Sequence, residues 1–163
     1  SASETTAAAT GAVGVIRRDP MAMLPFCGYN MADYFQHWLD MGKKIPNPPK
    51  IFNVNWFRTD EDGHFIWPGF GDNLRVLNWI IDRCQEQIEA TESPIGYLPK
   101  ANDIDTSGLD LTAETMEELL SIDQEAWVEE WNSQAEFLKQ FGDDLPKEIR
   151  EEHEKLGKRL GIK

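Results

Sequence analysis

Residues 55–73, NWFRTDEDGHFIWPGFGDN, cannot form one regular element. Trp56, Phe57, Phe65, Trp67 and Phe70 crowd into this stretch with the imidazole of His64. Their spacing is not that of the core face of a helix. Asp60, Glu61, Asp62 and Gly63 form a turn sequence, and Trp67-Pro68-Gly69-Phe70-Gly71 is a corner. Proline fixes φ and removes a backbone donor there, while glycine admits conformations closed to other residues. The rings are therefore held on loops and short strands. Such rings build a flat slot, and stacking a planar base on them is worth about 1–3 kcal/mol.

The flanking sequence reads as an α+β chain. Residues 51–57 alternate, with Ile51, Phe52, Val54 and Trp56 among Asn53 and Asn55, which predicts a buried strand. Residues 64–67 return as a second short strand. The result is a β-hairpin that presents Phe57, Phe65 and Phe70 near one another. Upstream, residues 13–17 suit a short strand. Asn30 suits a helix N-cap ahead of Met31, Tyr34, Phe35, Trp38, Leu39 and Met41. Gly42 is expected to end that helix, with Pro46, Pro48 and Pro49 barring continuation. Asp72 or Asn73 is expected to cap the next helix, with Leu77, Ile80, Ile81, Cys84 and Ile88 as its apolar stripe.

Residues 94–102 break the pattern and 103–110 form a polar loop. Thr112 with Thr115 opens a helix with Met116, Leu119 and Leu120 inward. Asp123 caps another, carrying Trp127, Trp131, Phe137, Leu138 and Phe141. A turn at 142–146 leads to a final helix over 147–160, rich in Glu/Lys pairs. Short strands and an aromatic hairpin followed by a mainly helical second half predict one compact unit without internal repeats.

Charge and cysteine usage narrow the function classes. The net charge of the 163 residues is −13. Most of it lies in residues 101–163, where 17 acidic groups face 7 basic ones. An acidic surface repels polynucleotides, so nucleic acid is not the expected partner. No run of 18 apolar residues exists to cross a membrane, and Ser1-Ala2-Ser3 does not begin a signal peptide. Cys27 and Cys84 are too few and too far apart for a disulfide framework or a zinc site. Reduced thiols in a cytoplasmic protein are expected, with Cys84 on an apolar helix face. The missing initiator Met points to a piece of a longer chain.

Each candidate residue also has a plainer reading. Trp56 and Phe65 suit a core, Asn73 suits a helix cap, and Trp67-Pro68 suits a packed turn. Residues 1–12 suit a frayed terminus. His37, His64 and His153 lack metal-ligand spacing, so no metal is assigned to this segment. No GxxxxGK[ST] loop and no GxSxG or Cys/His nucleophile motif occurs, and the carboxylates of the tail fall on exposed helix faces. No catalytic residue is therefore expected within this segment.

Several separate motifs resemble one family. Val54-Asn55-Trp56-Phe57-Arg58, Gly63, Phe65, Trp67-Pro68-Gly69-Phe70-Gly71 and Asn73 resemble the guanine-binding segment of GTP-dependent phosphoenolpyruvate carboxykinases. Ser3, Glu4, Thr5, Thr6, Ala7, Ala8 and Ala9, continued by Thr10 and Gly11, resemble that family's active-site lid. Asp19-Pro20-Met21-Ala22-Met23 and Pro25-Phe26-Cys27-Gly28-Tyr29-Asn30 resemble the run that follows it. Asp72 stands where Glu is commoner in the family, and Asn53 where His is common.

The resemblance implies a C-terminal segment with a lid at 1–14, a guanine-binding part at 15–100 and an acidic helical tail at 101–163. It implies that Phe57 and Phe70 sandwich the base, that Phe65 meets its edge and that Asn73 supplies specific hydrogen bonds. Trp56 and Trp67 line or buttress the slot, and Pro68, Gly69 and Gly71 fix the corner. For the whole enzyme it implies a decarboxylating lyase, monomeric and cytoplasmic, of gluconeogenesis or anaplerosis. That enzyme converts oxaloacetate and GTP to phosphoenolpyruvate, CO2 and GDP, with Mn2+ and Mg2+ bound outside this segment. The segment alone is then inactive. A rival from another class is a non-enzymatic aromatic groove for a Pro-rich peptide or a sugar.

Overall fold

The computed structural model describes residues 23–162, together with the backbone of Ser3–Glu4 and Ile16–Arg17. In chain order the elements are β1 (Ser3–Glu4), β2 (Ile16–Arg17), α1 (Met31–Lys44), α2 (Asn73–Cys84), β3 (Thr91–Ser93), β4 (Gly96–Leu98), α3 (Ala113–Leu120), α4 (Gln124–Lys139) and α5 (Lys147–Arg159). The class is α+β with a mainly helical second half, as the sequence predicts. β1 pairs antiparallel with β2, Ser3 opposite Arg17 and Glu4 opposite Ile16. β3 pairs antiparallel with β4, Ser93 opposite Gly96.

Where the sequence predicts one unit, the chain resolves into two. One is Pro49–Asp123, and the segments on either side of it form the other. Each has its own apolar cluster.

In the flanking unit, Met31, Ala32 and Phe35 of α1 pack with Phe141 and Leu145. Asn30 caps α1 as expected, its Oδ1 accepting from the N–H of Ala32 at 2.9 Å. Its Nδ2 also donates to Asp144 at 2.9 Å, so one side chain closes a helix and joins two segments. The helix runs through Gly42 to Lys44. Gly42 is tolerated inside it, and Pro46 is what stops it. The residue before a proline is driven out of helical geometry, and Ile45 is accordingly extended at φ −84° and ψ 122°.

In the unit Pro49–Asp123, Trp67, Trp79, Ile104 and Met116 form the buried cluster, with Phe52, Trp56, Val76 and Ile80 packed against it. Thr112 caps α3 by accepting from the N–H of Thr115, as predicted. Three expectations are corrected here. Residues 51–57 do not form a strand, and Ile51 is 82% exposed. The side chain of Asn55 takes the N–H of Phe57 at 3.0 Å, a local bond that competes with a strand ladder.

The stripe predicted on α2 is rotated. Of the predicted residues Ile80 and Ile88 pack against the cluster as expected, but Trp79 is the buried residue, with Val76 beside it, while Leu77, Ile81 and Cys84 are exposed. Periodicity identifies an amphipathic helix, but the neighbouring cluster selects which arc it accepts. Finally, residues 94–102 do not simply interrupt the pattern. Pro94 and Ile95 turn β3 into β4, and Ser93 Oγ donates to the carbonyl of Gly96 at 2.6 Å.

Candidate functional site

The aromatic segment folds on a minimal hairpin. Thr59 and Phe65 form an isolated antiparallel bridge. Ile66 N–H donates to the Arg58 carbonyl at 3.0 Å, and Asp60 N–H to the His64 carbonyl at 2.9 Å. The turn is built by Asp60, whose Oδ1 accepts from the N–H of Asp62 at 3.0 Å and of His64 at 2.8 Å. These bonds, above all that from His64, hold the Asp60 carboxyl below its ordinary pKa. Gly63 sits at φ 82°, which closes the turn at no steric cost.

The hairpin displays its rings outward. Phe57 is 71% and Phe65 64% exposed, and their ring centroids lie 5.9 Å apart at 62° between planes. Trp67, by contrast, is only 5% exposed and anchors the corner in the core, with Trp56 packed against the same cluster. Pro68 is exposed and Gly69 stands at φ 77°. Gly69 thereby turns the chain into a short 3-10 turn, Phe70–Asp72, that runs into α2.

Phe70 is 99% exposed and has φ 41°. A bulky residue at positive φ is a genuine outlier, of the kind that concentrates at ligand clamps. Phe70 makes no ring contact among the described residues. The structure thus brings Phe57 and Phe65 together, and it presents Phe70 to solvent on a strained turn.

Asn73 and Asp72 do not cap α2 through their side chains. Asp72 Oδ1 accepts from Arg75 Nε at 3.1 Å, and Asn73 Oδ1 accepts from Trp67 Nε1 at 2.9 Å. The corner and the first turn of α2 are therefore stitched side chain to side chain.

Two arginines that carried no assigned role in the sequence hold the site in place. Arg58 donates to the carbonyls of Leu119 and Ser121 at 3.1 and 3.0 Å and to Ser121 Oγ at 2.8 Å. It thus fixes the hairpin to the carbonyl-rich end of α3, where a cation also suits the helix dipole. Arg75 reaches the carbonyls of Asp105 and Ser107 at 2.8 and 3.0 Å, tying α2 to the following loop. The spacing of Asp72 and Arg75, three apart on a helix, was the available signal for the second. Nothing local announces the first.

Asp60, Asp62 and His64 hold ligand atoms within 4.8 Å of one another, all exposed. Their arrangement is explained by the turn itself, since Asp60 is already engaged by two backbone donors. His64 Nδ1 lies 3.5 Å from Asp60 Oδ2. Of the proposed lid, only the backbone of Ser3 and Glu4 is described. Thr5, Thr6, Ala7, Ala8, Ala9, Thr10 and Gly11 lie outside the described residues. No helix among those residues is long and apolar enough to cross a membrane.

Residues 1–159 match the family model described as the phosphoenolpyruvate carboxykinase C-terminal P-loop domain. The chain is 51% identical over 158 residues to a protein of Anaeromyxobacter dehalogenans named phosphoenolpyruvate carboxykinase [GTP]. It is 51% identical over 158 residues to the Thermoplasma volcanium protein of that name, and 50% over 161 residues to the one from Renibacterium salmoninarum. These matches cover 97–98% of the chain but 26% of each relative, so the chain spans about a quarter of their length. With a family match over nearly every residue and about half of the positions identical to those of several relatives, the chain belongs to the phosphoenolpyruvate carboxykinase C-terminal P-loop domain family.

Proposed function

We propose that this chain is the guanine-binding and lid-bearing part of a GTP-dependent phosphoenolpyruvate carboxykinase. The observation that carries the reading is the aromatic corner. Phe57, Phe65 and Phe70 are exposed around a buried Trp67, on a backbone strained at Phe70, in a relative of proteins named for GTP. Solvent-exposed rings gain from a stacked base what they cannot gain from one another. Asn73, bonded to Trp67 of the same corner, carries a carboxamide whose NH2 can donate a hydrogen bond. Ring faces plus one directed polar group are what a base-selective site needs.

The residues fit the base of GTP or GDP rather than its phosphates. The segment is acidic and has no GxxxxGK[ST] loop. In this reading the phosphates, the Mn2+ and Mg2+ ions, oxaloacetate and phosphoenolpyruvate are held by other parts of a whole enzyme. Bound metal would there stabilise negative charge on the enolate and the transferred phosphoryl group. This chain would hold and orient the base, and residues 3–11 would close over the site and exclude water.

The test uses the full-length protein that carries this segment. Phe57→Ala and Asn73→Ala are each expected to raise the GDP Kd about tenfold or more, given about 1–3 kcal/mol per stacked base. Oxaloacetate binding should be little changed. Unaltered GDP affinity in both variants would reduce the two residues to packing and sink the proposal.

A further inference from the structure

The Asn73 carboxamide is the polar group whose direction the aromatic corner fixes. An indole N–H can only donate, so the atom 2.9 Å from Trp67 Nε1 is the amide oxygen of Asn73 and not its nitrogen. Trp67 cannot swing away, because its ring is buried with Trp79, Ile104 and Met116. The carboxamide is planar, so holding its oxygen sets the direction of its NH2. That NH2 has no partner among the described residues. The corner therefore offers a ligand a donor at the start of α2, three residues beyond the exposed Phe70.

We propose that Trp67 is a positioning residue for base selectivity, acting by locking the polarity of the Asn73 amide. The inference rests on reading the corner as a purine slot and goes beyond it by assigning the source of discrimination. Stacking does not separate the purines, since every base has a π face. An unrestrained asparagine does not separate them either. By turning its amide over, it meets a 6-oxo group with NH2 or a 6-amino group with its oxygen. With the oxygen held by Trp67, turning over would bring the amide NH2 against the indole N–H. The locked amide accepts a 6-oxopurine and sets donor against donor on a 6-aminopurine. Selectivity at this position is then built into the core through an indole that need not touch the ligand.

The experiment replaces one atom. In the full-length protein, Trp67 is exchanged for β-(3-benzothienyl)alanine, which keeps the bicyclic shape and puts sulfur where the N–H was. Trp67→Phe serves as a genetically simple companion. Dissociation constants are measured for GDP, IDP and ADP. The expected result is a fall of roughly tenfold in the GDP over ADP preference, one hydrogen bond's worth. ADP gains relative to both 6-oxo nucleotides, and the GDP to IDP ratio stays constant because both carry the 6-oxo group. A Trp67 of merely structural importance would weaken all three alike, and an unchanged GDP over ADP ratio in the isostere overturns the proposal. Should Trp67→Phe not fold, the isostere decides alone. Equal binding of GDP and ADP by the unmodified protein would refute the guanine reading itself and this inference with it, which separates that failure from a failure of Trp67 alone.

Discussion

His153 lies flat against Trp131, with ring centroids 4.6 Å apart and 11° between planes, and the two residues are bonded twice through their backbones. Trp131 Nε1 donates to the His153 carbonyl at 2.9 Å, and His153 Nε2 lies 2.9 Å from the Trp131 carbonyl. Since a carbonyl only accepts, His153 carries a proton on Nε2. This clasp joins α4 to α5, and Gly157, one turn further along α5, lets the indole lie close to the helix.

Gly157→Ala tests that fit. A Cβ built there would stand 2.9 Å from Trp131 Nε1 and 3.0 Å from its Cε2. Alanine is the better helix former by about 0.5–1 kcal/mol. Overpacking a close-fitted contact costs about 1–3 kcal/mol. The variant should therefore be destabilised despite its gain in helix propensity, as measured by urea unfolding of the full-length protein. Increased stability would show that the indole moves aside freely.

Phe70→Gly should separate stability from binding. Phe70 stands at φ 41° with its side chain almost wholly in solvent, so the fold loses little packing when the ring goes. Glycine relieves left-handed strain of about 1–2 kcal/mol, offset in part by its greater freedom when unfolded. The expected outcome is an unchanged or slightly raised Tm with GDP affinity reduced at least tenfold. A marked loss of Tm would make Phe70 a structural residue.

The turn at Asp60 predicts an acid-sensitive hairpin. The backbone N–H of His64, with lesser help from the His64 charge and the Asp62 N–H, holds the Asp60 carboxyl below its ordinary pKa. A carboxyl depressed in the folded state contributes stability above its unfolded pKa and loses it as pH falls through the folded value. Amide exchange protection of Asp62 and His64 should therefore persist through neutral pH. Protection, corrected for intrinsic exchange, should decline below the usual carboxylate range. Asp60→Asn keeps the accepting oxygen without the titration and should flatten that decline. An identical acid profile in this variant would assign the effect elsewhere.

Much of the architecture is carried by local signals. Asn30 and Thr112 cap helices as their residue types predict, because a cap needs only a short polar side chain and the next two or three N–H groups. The turn over 60–63 is equally local. The corner at 67–71 follows from Pro68 and from a glycine at φ 77°. Failures cluster where the outcome depends on a distant partner. Residues 51–57 have a strand's alternation but pair with no strand among the described residues, and α2 turns Trp79 rather than Leu77 to the core. The hairpin of β3 and β4 escaped notice because three-residue strands leave almost no period to read.

The sequence by itself determined the family, the helical second half and the turn and corner that carry the aromatic residues, since each is written in contiguous residues whose chemistry acts on near neighbours. Tertiary structure alone decided which of the rings face outward, which face of α2 is buried and what Arg58 holds. It also decided the direction of the Asn73 amide, because that direction comes from an indole whose own orientation is fixed by Ile104 and Met116. A hydrogen bond's polarity is set by both partners, and packing chooses the partner.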